Sequence, residues 1–189
     1  MRSKGTLWTV AGLLLLAAAF GLTGYNLRTE HRARQTVETA MIQLAERTET
    51  TAAVPSPDWT MPAWELDGHR CIGVLEIPAL GLQLPVMEQW SDTELRFAPC
   101  RYTGSAYGSD LVICAHNYAA HFGSIGKLSF GDEVTFTDMD GNIFRYQAAD
   151  IEILPPDAVE EMTAAEWGLT LFTCTLGGAS RVTVRCTAC

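Results

Sequence analysis

Residues 169–186, LTLFTCTLGGASRVTVRC, predict the local structure around which the rest of the fold can be placed. The segments TLFTC and RVTVR each alternate apolar with β-branched or polar side chains, which is typical of half-buried strands. Gly177–Gly178 between them supplies the backbone freedom that a tight turn needs. The stretch is therefore predicted to be a β-hairpin that brings Cys174 and Arg181 together at one end.

Cys174 and Arg181 would form a reactive pair in this arrangement. A permanent cation beside a thiol favours the thiolate, which is the nucleophilic form of cysteine. The alternative is that Cys174 is a small buried hydrophobic residue, which is the commoner role of a lone cysteine at a strand end. The spacing of these residues leaves both interpretations open.

The same stretch carries a resemblance to a known family. TLFTC at 170–174 matches the TLxTC signature of sortases, the cysteine transpeptidases that anchor proteins to Gram-positive cell walls, and the first arginine of RVTVR matches their active-site arginine. The similarity extends from about Ile72 to Cys186 and includes LEIPALGLQLPV, the strand ending in LVICAHN, and LSFGDEVTF. The sequence thus resembles a sortase, B-like or D-like, with its class left open.

The resemblance implies a set of site residues. Cys174 is the expected nucleophile, Arg181 the expected stabiliser of the oxyanion or substrate backbone, and His116 the expected general acid. His116 follows the predicted strand LVICA, in the position of the family's catalytic histidine, although the typical Gly-His is Ala115-His116 here. Thr173, inside the signature, is expected to contribute to substrate binding.

Two other residues are alternatives for these roles. His121 is the alternative base, five residues after His116 in a predicted helix or loop. Arg185 is the alternative to Arg181 because it lies on the same strand face, four residues later. Arg181 is preferred because it is nearer the turn and holds the family position.

No metal and no cofactor are expected. The chain has six cysteines, at 71, 100, 114, 174, 186 and 189, without the paired spacing that zinc sites use. Cys186 and Cys189 are close enough to pair, and the sequence leaves their disulfide status open. Residues 138–142, DMDGN, resemble the start of a calcium loop, but the flanking segments read as strands, so a hairpin turn is preferred.

The charge distribution argues against a nucleic-acid partner. The formal net charge is -9 at neutral pH, and residues 35–189 hold eight Lys or Arg against 21 Asp or Glu. Binding to phosphates needs clustered Lys and Arg, which an acidic globular part lacks. The length allows one domain of about 100 to 150 residues plus a leader.

Gly5–Leu27 is a run of 23 uncharged, mostly apolar residues. A helix of that length is about 34 Å long, enough to cross a bilayer core of about 30 Å. We expect a single membrane anchor. A cleaved signal peptide is the alternative, because Arg2 and Lys4 precede the run and Ala17–Ala19 offers small residues for cleavage.

The charges around this run and the resemblance predict opposite orientations of the chain in the membrane. Arg28, Arg32 and Arg34 outnumber the two basic residues on the amino-terminal side. The positive-inside rule alone would place the bulk of the chain in the cytoplasm. The resemblance implies the opposite, a single-pass cell-membrane protein with an extracellular catalytic domain, and we follow it because cell-wall substrates lie outside.

The chain is predicted to divide into a cytoplasmic tip and anchor (1–28), a helical spacer with a Pro-rich linker (29–68) and a catalytic domain (69–189). Many short strands with turns at near-regular spacing and no βαβ rhythm indicate an all-β barrel or sandwich. The resemblance selects a closed eight-stranded β-barrel. Short helices are predicted at Asp92–Phe97 and Asp157–Trp167.

The resemblance also implies a reaction and its partners. Cys174 would attack an LPxTG-like sorting signal of a surface protein and form a thioacyl enzyme, which an amine of a peptidoglycan precursor or a pilin lysine resolves. Water in place of the amine gives hydrolysis. The alternatives are a cysteine peptidase using the same Cys-His pair, an enzyme like the L,D-transpeptidases, whose Ser-x-Gly-Cys core is missing around Cys174, and a non-catalytic membrane-tethered β-barrel binding module.

Overall fold

The computed structural model describes residues 3–48 and 60–189. This part of the chain forms three α-helices and nine β-strands, with short 3-10 turns at Pro78–Leu80 and Ile125–Lys127. In chain order the elements are α1 (Ser3–Thr48), β1 (Trp64–Leu66), β2 (His69–Ile77), β3 (Leu82–Met87), α2 (Asp92–Phe97), β4 (Cys100–Thr103), β5 (Leu111–Ala115), β6 (Glu133–Asp138), β7 (Ile143–Leu154), α3 (Val159–Met162), β8 (Leu169–Cys174) and β9 (Arg181–Ala188).

The strands pair in the order β1-β2-β3-β4-β5-β8-β9-β7-β6, and pairing between β2 and β6 closes the sheet. Eight strands, β2 to β9, thus form a closed barrel, while β1 extends the sheet beside the start of β2. The β3–β4 and β5–β8 pairs are parallel and the other pairs are antiparallel. The predicted closed eight-stranded barrel is confirmed, and closure leaves β2 to β9 few free edges.

Side-chain alternation divides the core into two layers. Leu171 and Val184 belong to the cluster that fills the barrel. Phe172, the next residue of β8 and so on its opposite face, belongs with Cys114 of β5 to a second cluster outside the barrel wall. Because side chains alternate along a strand, Cys174 lies on the same face as Phe172.

Helix α2 covers this second layer. It begins after Ser91, whose hydroxyl oxygen accepts a 3.1 Å hydrogen bond from the backbone N–H of Glu94. Leu95 and Phe97 pack against the second cluster. The helix predicted at Asp92–Phe97 is confirmed, and it lies over the sheet face that carries Cys174.

The chain separates into two compact units, residues 1–32 and 33–189. In the first, the side chains from Gly5 to Leu27 are exposed, and an 18-residue window of this apolar helix has a mean hydropathy of 1.9, compatible with a membrane anchor. In the second, Val37 and Leu44 of α1 are buried against the barrel. This part of α1 is therefore a packing surface for the barrel.

The structure differs from the sequence-based expectation at β1. Residues 64–66 were expected in the linker, yet they pair antiparallel with His69–Cys71. Asp67 and Gly68, with φ angles of 50° and 82°, form the tight turn between the two strands. An Asp-Gly dipeptide is typical of a hairpin turn, whereas the prolines that precede it favour a linker, and the sequence-based expectation followed the prolines. Residues 49–59 of the predicted spacer and linker lie outside the described residues.

The region before β8 also differs from expectation. The helix expected over Asp157–Trp167 is a single turn at Val159–Met162, and no side chain caps its start. The carbonyl oxygens of Glu161 and Met162, at the end of this turn, accept hydrogen bonds from the Arg185 guanidinium, a tertiary contact that holds the end of the turn to β9.

Strand β7 is the longest of the nine described strands, with an irregularity between Ala148 and Asp150. The first part of β7 pairs with β6 and the remainder with β9. The predicted hairpin turn at 138–142 is confirmed, because the Asp138 carboxylate accepts hydrogen bonds of 2.9 and 2.8 Å from the backbone N–H groups of Asp140 and Asn142.

Candidate active site

Three neighbouring strands, β5, β8 and β9, end or begin at the same rim of the barrel. Ala115 of β5 is paired with Thr173 of β8, so His116 leaves its strand beside Cys174. Cys174, the last residue of β8, is directly paired with Arg181, the first residue of β9. The topology therefore brings the three residues expected to be catalytic to adjacent backbone positions.

Thr173 fastens two of these strand ends together. Its hydroxyl donates a 2.8 Å hydrogen bond to the carbonyl oxygen of Ala115, and its side chain is only 3% exposed. The hydroxyl is thus engaged within the protein, although Thr173 also lines the groove described below. The proton of this hydroxyl is therefore not available as a hydrogen-bond donor to a substrate.

Cys174 differs from the other cysteines in its surroundings. All six are free thiols; Cys174 is partly exposed, Cys189 is exposed, and the remaining four are buried. Burial raises the pKa of Cys71 to about 11 and of Cys114 and Cys186 to about 12, and it also raises the pKa of Cys100. Those four side chains therefore remain protonated thiols, and Cys174 is the accessible thiol at the barrel rim.

A groove of about 450 Å³ opens beside Cys174. One wall is Thr175, Leu176 and Val182 from the hairpin, and the other is the segment after β5, which includes Asn117, Ser124 and Lys127. His116 and Arg181 lie outside its lining. A larger cavity of about 580 Å³ between the end of α1 and the β2–β3 surface contains none of the expected catalytic residues.

His116 is partly buried, and its ring packs against Tyr118 with centroids 4.8 Å apart. Burial lowers the pKa of His116, and the Arg96 guanidinium on α2 lowers it further, while the Asp92 carboxylate on the same helix opposes the shift. The neutral imidazole is therefore favoured at neutral pH. Asp92 and Arg96 were not expected at the site, because only tertiary packing brings α2 over this rim.

The Arg181 guanidinium turns toward the hairpin loop. Its Nη1 atom donates hydrogen bonds of 3.2 Å to the carbonyl oxygens of Gly178 and Ser180. The loop is itself closed by a 2.9 Å hydrogen bond from the Thr175 N–H to the Ser180 carbonyl. The Nη1 atom of Arg181 is thus held by the turn, and the other N–H groups of the guanidinium can still donate hydrogen bonds to a bound group.

Arg185, the alternative to Arg181, has a different environment. It is 3% exposed, its Nε donates to Glu152 Oε1 at 2.7 Å, and its Nη1 donates at 3.2 Å to Thr170 Oγ1. It also donates to the carbonyl oxygens of Glu161 and Met162. Arg185 is therefore an internal anchor for the segment before β8 and is not available to a substrate.

The other histidines are also assigned by their surroundings. His121, the alternative base, is fully buried, and burial lowers its pKa to about 4, with His116 adding to the shift. His69 contacts Glu94 at 2.8 Å and stacks on Phe97 with ring centroids 4.1 Å apart. His31 is exposed on α1. His116 is thus the partly accessible histidine at the rim.

Comparison with known proteins identifies the family. The sequence model of the Sortase domain matches residues 75–188. Solved structures similar to this chain include sortase C1 from Streptococcus suis, with 26% identity over 65% of this chain and 75% of that chain and a TM-score of 0.56. A Clostridium perfringens sortase D5 transpeptidase shares 20% identity over 82% of this chain and 96% of that one, with a TM-score of 0.57. Sortase A from Corynebacterium diphtheriae shares 14% identity over 91% of this chain and 95% of that one, with a TM-score of 0.59.

None of the curated proteins compared with the chain matches it. The D5 and sortase A structures, at their low identities, support the barrel fold alone. The family assignment rests on the Sortase domain match, which covers more than half of the sequence and extends from β2 to the end of β9. The chain therefore belongs to the sortase family of cysteine transpeptidases.

Proposed function

We propose that this protein cleaves an LPxTG-like sorting signal through a thioacyl intermediate on Cys174 and transfers the cleaved protein to an amine. The observation that carries the proposal is the pairing of a partly exposed Cys174 with Arg181, next to the strand end that delivers His116. The groove beside Cys174 offers a place for the substrate chain.

The proposed first step is nucleophilic attack. The Cys174 thiolate bonds to the carbonyl carbon of the scissile peptide, and the carbonyl oxygen takes the negative charge. His116 donates a proton to the nitrogen of the leaving amine as the C–N bond breaks. An acceptor amine then attacks the thioester, loses its proton to His116, and releases the Cys174 thiolate with a new amide bond formed.

Arg181 is proposed to stabilise the charge on the oxyanion or to hold the substrate backbone. Its guanidinium is fixed by the carbonyl groups of Gly178 and Ser180, so it is oriented before substrate arrives. A guanidinium whose position is already fixed loses little conformational entropy when its remaining N–H groups bind an oxygen atom. Thr173 is retained as a proposed substrate-binding residue because it lines the groove beside Cys174.

The proposed partners are surface proteins with a C-terminal sorting signal and an acceptor amine from a peptidoglycan precursor or a pilin lysine. Water would resolve the same thioester by hydrolysis when no amine is present. The competing function is a cysteine peptidase, in which water remains the acceptor even when amine is abundant. A non-catalytic binding module would leave Cys174 inert toward every peptide.

The division of the chain fits this activity. We retain the proposal that residues 1–28 anchor the protein, 29–68 form a spacer and linker, and 69–189 act outside the cell. A reporter that is active only outside the cell, fused after Cys189, tests the orientation. Loss of its signal while the fusion is produced at normal levels would contradict an external catalytic domain.

The activity is tested with a panel of LPxTG-like peptides, with and without an added amine. The proposal expects cleavage in both cases and an amide product when the amine is present. Cys174→Ala is the inactive control. Hydrolysis that ignores the amine would favour the peptidase, and intact peptides throughout would favour the binding module.

A further inference from the structure

A positive charge lies in the groove that the proposed function assigns to the substrate. Lys127 lines this groove together with Cys174, whereas none of the acidic side chains in the described residues does. Within the same residues Lys127 forms no ion pair. An exposed lysine carries a compact ammonium charge at neutral pH. The groove therefore holds a cation that is not paired with a protein carboxylate.

This charge contrasts with the rest of the globular part of the chain. Residues 35–189 hold eight Lys or Arg against 21 Asp or Glu, and Lys127 is the only lysine among them. A surface of this composition repels an anionic group over most of its area. Lys127, in the groove, and Arg181, paired with Cys174, place two of the eight cations around the proposed nucleophile. An anionic group of a substrate would be attracted there.

The fold fixes the backbone position of Lys127. It is the last residue of a 3-10 turn, and its N–H donates to the Ser124 carbonyl oxygen at 2.9 Å. The buried side chains of Phe122, Ile125 and Leu128 anchor this segment to the core inside the barrel. Because these apolar side chains recur at every third residue, they share the core side of the turn, and Lys127 stays exposed.

The same turn packs closely against the start of β9. A Cβ added at Gly126 would lie 3.3 Å from the Cγ1 atom of Val182, so little space separates the turn from the strand. Val182 follows Arg181 in β9 and is paired with Thr173, the residue before Cys174. The wall that carries Lys127 is thus held against the wall formed by the hairpin, which gives its charge a defined place in the groove.

We propose that Lys127 is a specificity-determining residue that selects sorting signals with an acidic side chain at the variable position. In an LPxTG-like signal this position differs between substrates, and it lies inside the segment that the groove would receive. A carboxylate there would pair with the Lys127 ammonium in a groove that excludes part of the surrounding water, which strengthens the attraction. The inference rests on the proposed function for the kind of substrate, and Lys127 takes no part in the bond-breaking steps.

The kinetic test compares peptides that differ only in the variable residue, which is glutamate, glutamine or lysine. With the full chain in detergent micelles, kcat/KM should be about three- to fivefold higher for the glutamate peptide than for the glutamine peptide, mainly through KM. It should be lowest for the lysine peptide, because like charges repel. The differences should shrink at high salt, since ions screen exposed charges.

Variants of Lys127 separate its charge from its shape. Lys127→Arg keeps the charge and should keep the preference for glutamate, whereas Lys127→Gln should abolish it. Lys127→Glu should reverse it in favour of the lysine peptide. Arg145→Gln is the matched control, because Arg145 is an exposed cation of β7 that does not line the groove, and this variant should preserve the preference.

A second measurement detects the contact without relying on activity. Cys174→Ala is incubated with the glutamate peptide, blocked at both ends, and a carbodiimide, which joins a carboxylate to a nearby amine as an amide and takes up the released water as a urea. Because Lys4 and Lys127 are the only lysines of the chain, peptide mapping identifies the linked residue. We expect a link at Lys127 with the glutamate peptide and none with the glutamine peptide.

The results separate this inference from the proposed function. Equal cleavage of the glutamate and glutamine peptides, or a glutamate preference that persists in Lys127→Gln, would overturn the inference even in an active enzyme. A link at Lys127, when the unmodified chain cleaves none of the peptides, would support recognition of the acidic side chain and count against the transpeptidase proposal. Absence of both the link and cleavage would contradict both proposals.

Discussion

The hydroxyl of Thr173 donates a 2.8 Å hydrogen bond to the carbonyl oxygen of Ala115, and so joins the ends of two parallel strands. The next residue along each strand is a proposed catalytic group, His116 on one and Cys174 on the other. Parallel strands are tied by the sheet itself only up to their last backbone pair. The buried Thr173 hydroxyl reinforces the last of these pairs, directly before the positions where the chemistry is proposed to occur.

Replacing Thr173 with valine should affect both stability and activity. Valine has nearly the same shape but leaves the buried Ala115 carbonyl oxygen without this donor, so the free energy of unfolding should fall by about 1 kcal/mol. We expect kcat/KM for peptide cleavage to fall as well, because the strand ends are no longer fixed together. Thr173→Ser, which keeps the hydroxyl, is the control and should retain most of both; equal effects of the two variants would show that the hydroxyl is not responsible.

Replacing the two arginines of β9 should affect different properties: Arg185 mainly contributes to stability, and Arg181 mainly to activity. Arg185→Met removes a buried guanidinium from an ion pair with the partly exposed Glu152 and takes a donor from two carbonyl groups, so we expect a loss of about 3 kcal/mol in the free energy of unfolding. Arg181→Met should leave stability within about 1 kcal/mol, since its partners are exposed loop carbonyls, but lower kcat by about 100- to 1000-fold. Urea titration and peptide kinetics measure the two quantities.

Arg181→Lys refines this comparison. Lysine keeps the positive charge and loses the planar fork, so activity should remain severely impaired. Full activity in Arg181→Lys or Arg181→Met would exclude Arg181 from the site, and Arg185 could not replace it because its guanidinium is buried among protein partners.

Alkylation of the folded chain should report the exposure of each thiol. Iodoacetamide is expected to modify Cys174 and Cys189 and to leave the four buried cysteines intact, because burial keeps those thiols protonated and inaccessible. Cys189→Ser should leave a single modified site, and peptide mapping should identify it as Cys174. Modification of buried cysteines at the same rate as Cys174 would mean that the barrel is open in solution.

His121 should make the protein sensitive to acid. Its pKa is about 4 in the folded chain and near 6.5 in the unfolded chain, so the unfolded chain binds an extra proton between these values. This contribution to stability is complete above pH 6.5 and is lost as the pH falls toward 4. Between pH 7 and 4.5 the loss should be about 2 to 3 kcal/mol.

His121→Phe should remove that part of the acid sensitivity, whereas His31→Gln, at an exposed position on α1, should leave it intact. Unfolding of both variants by urea at the two pH values provides the measurement. The same acid sensitivity in His121→Phe and in the unmodified chain would show that other groups cause it.

Local patterns predicted the elements that build the site. Alternation on both sides of Gly177–Gly178 predicted the hairpin, and the apolar segment LVICA predicted the strand that ends before His116, because both signals lie within a few residues. The barrel itself followed from the resemblance to sortases, since local periodicity does not distinguish a closed sheet from an open one.

Properties that depend on distant contacts were missed or left open. Arg181 and Arg185 are equivalent in the strand pattern, and only the packing of the segment before β8 shows that Arg185 is an internal anchor. The sequence left His121 open as the alternative base, because its burial depends on the conformation of the turn after β5, which the sequence pattern does not show. The helix expected at Asp157–Trp167 was too long, since helical propensity omits long-range contacts such as those of the Arg185 guanidinium with the Glu161 and Met162 carbonyl oxygens.

Intact-protein mass spectrometry of the chain with a panel of candidate sorting peptides tests the central proposal most directly. We expect a mass increase equal to the acyl part of a cleaved peptide, located at Cys174, released by an added amine and missing in Cys174→Ala. A chain whose mass stays unchanged with every peptide in the panel, or an acyl group found on another cysteine, would contradict the proposal that Cys174 is the nucleophile.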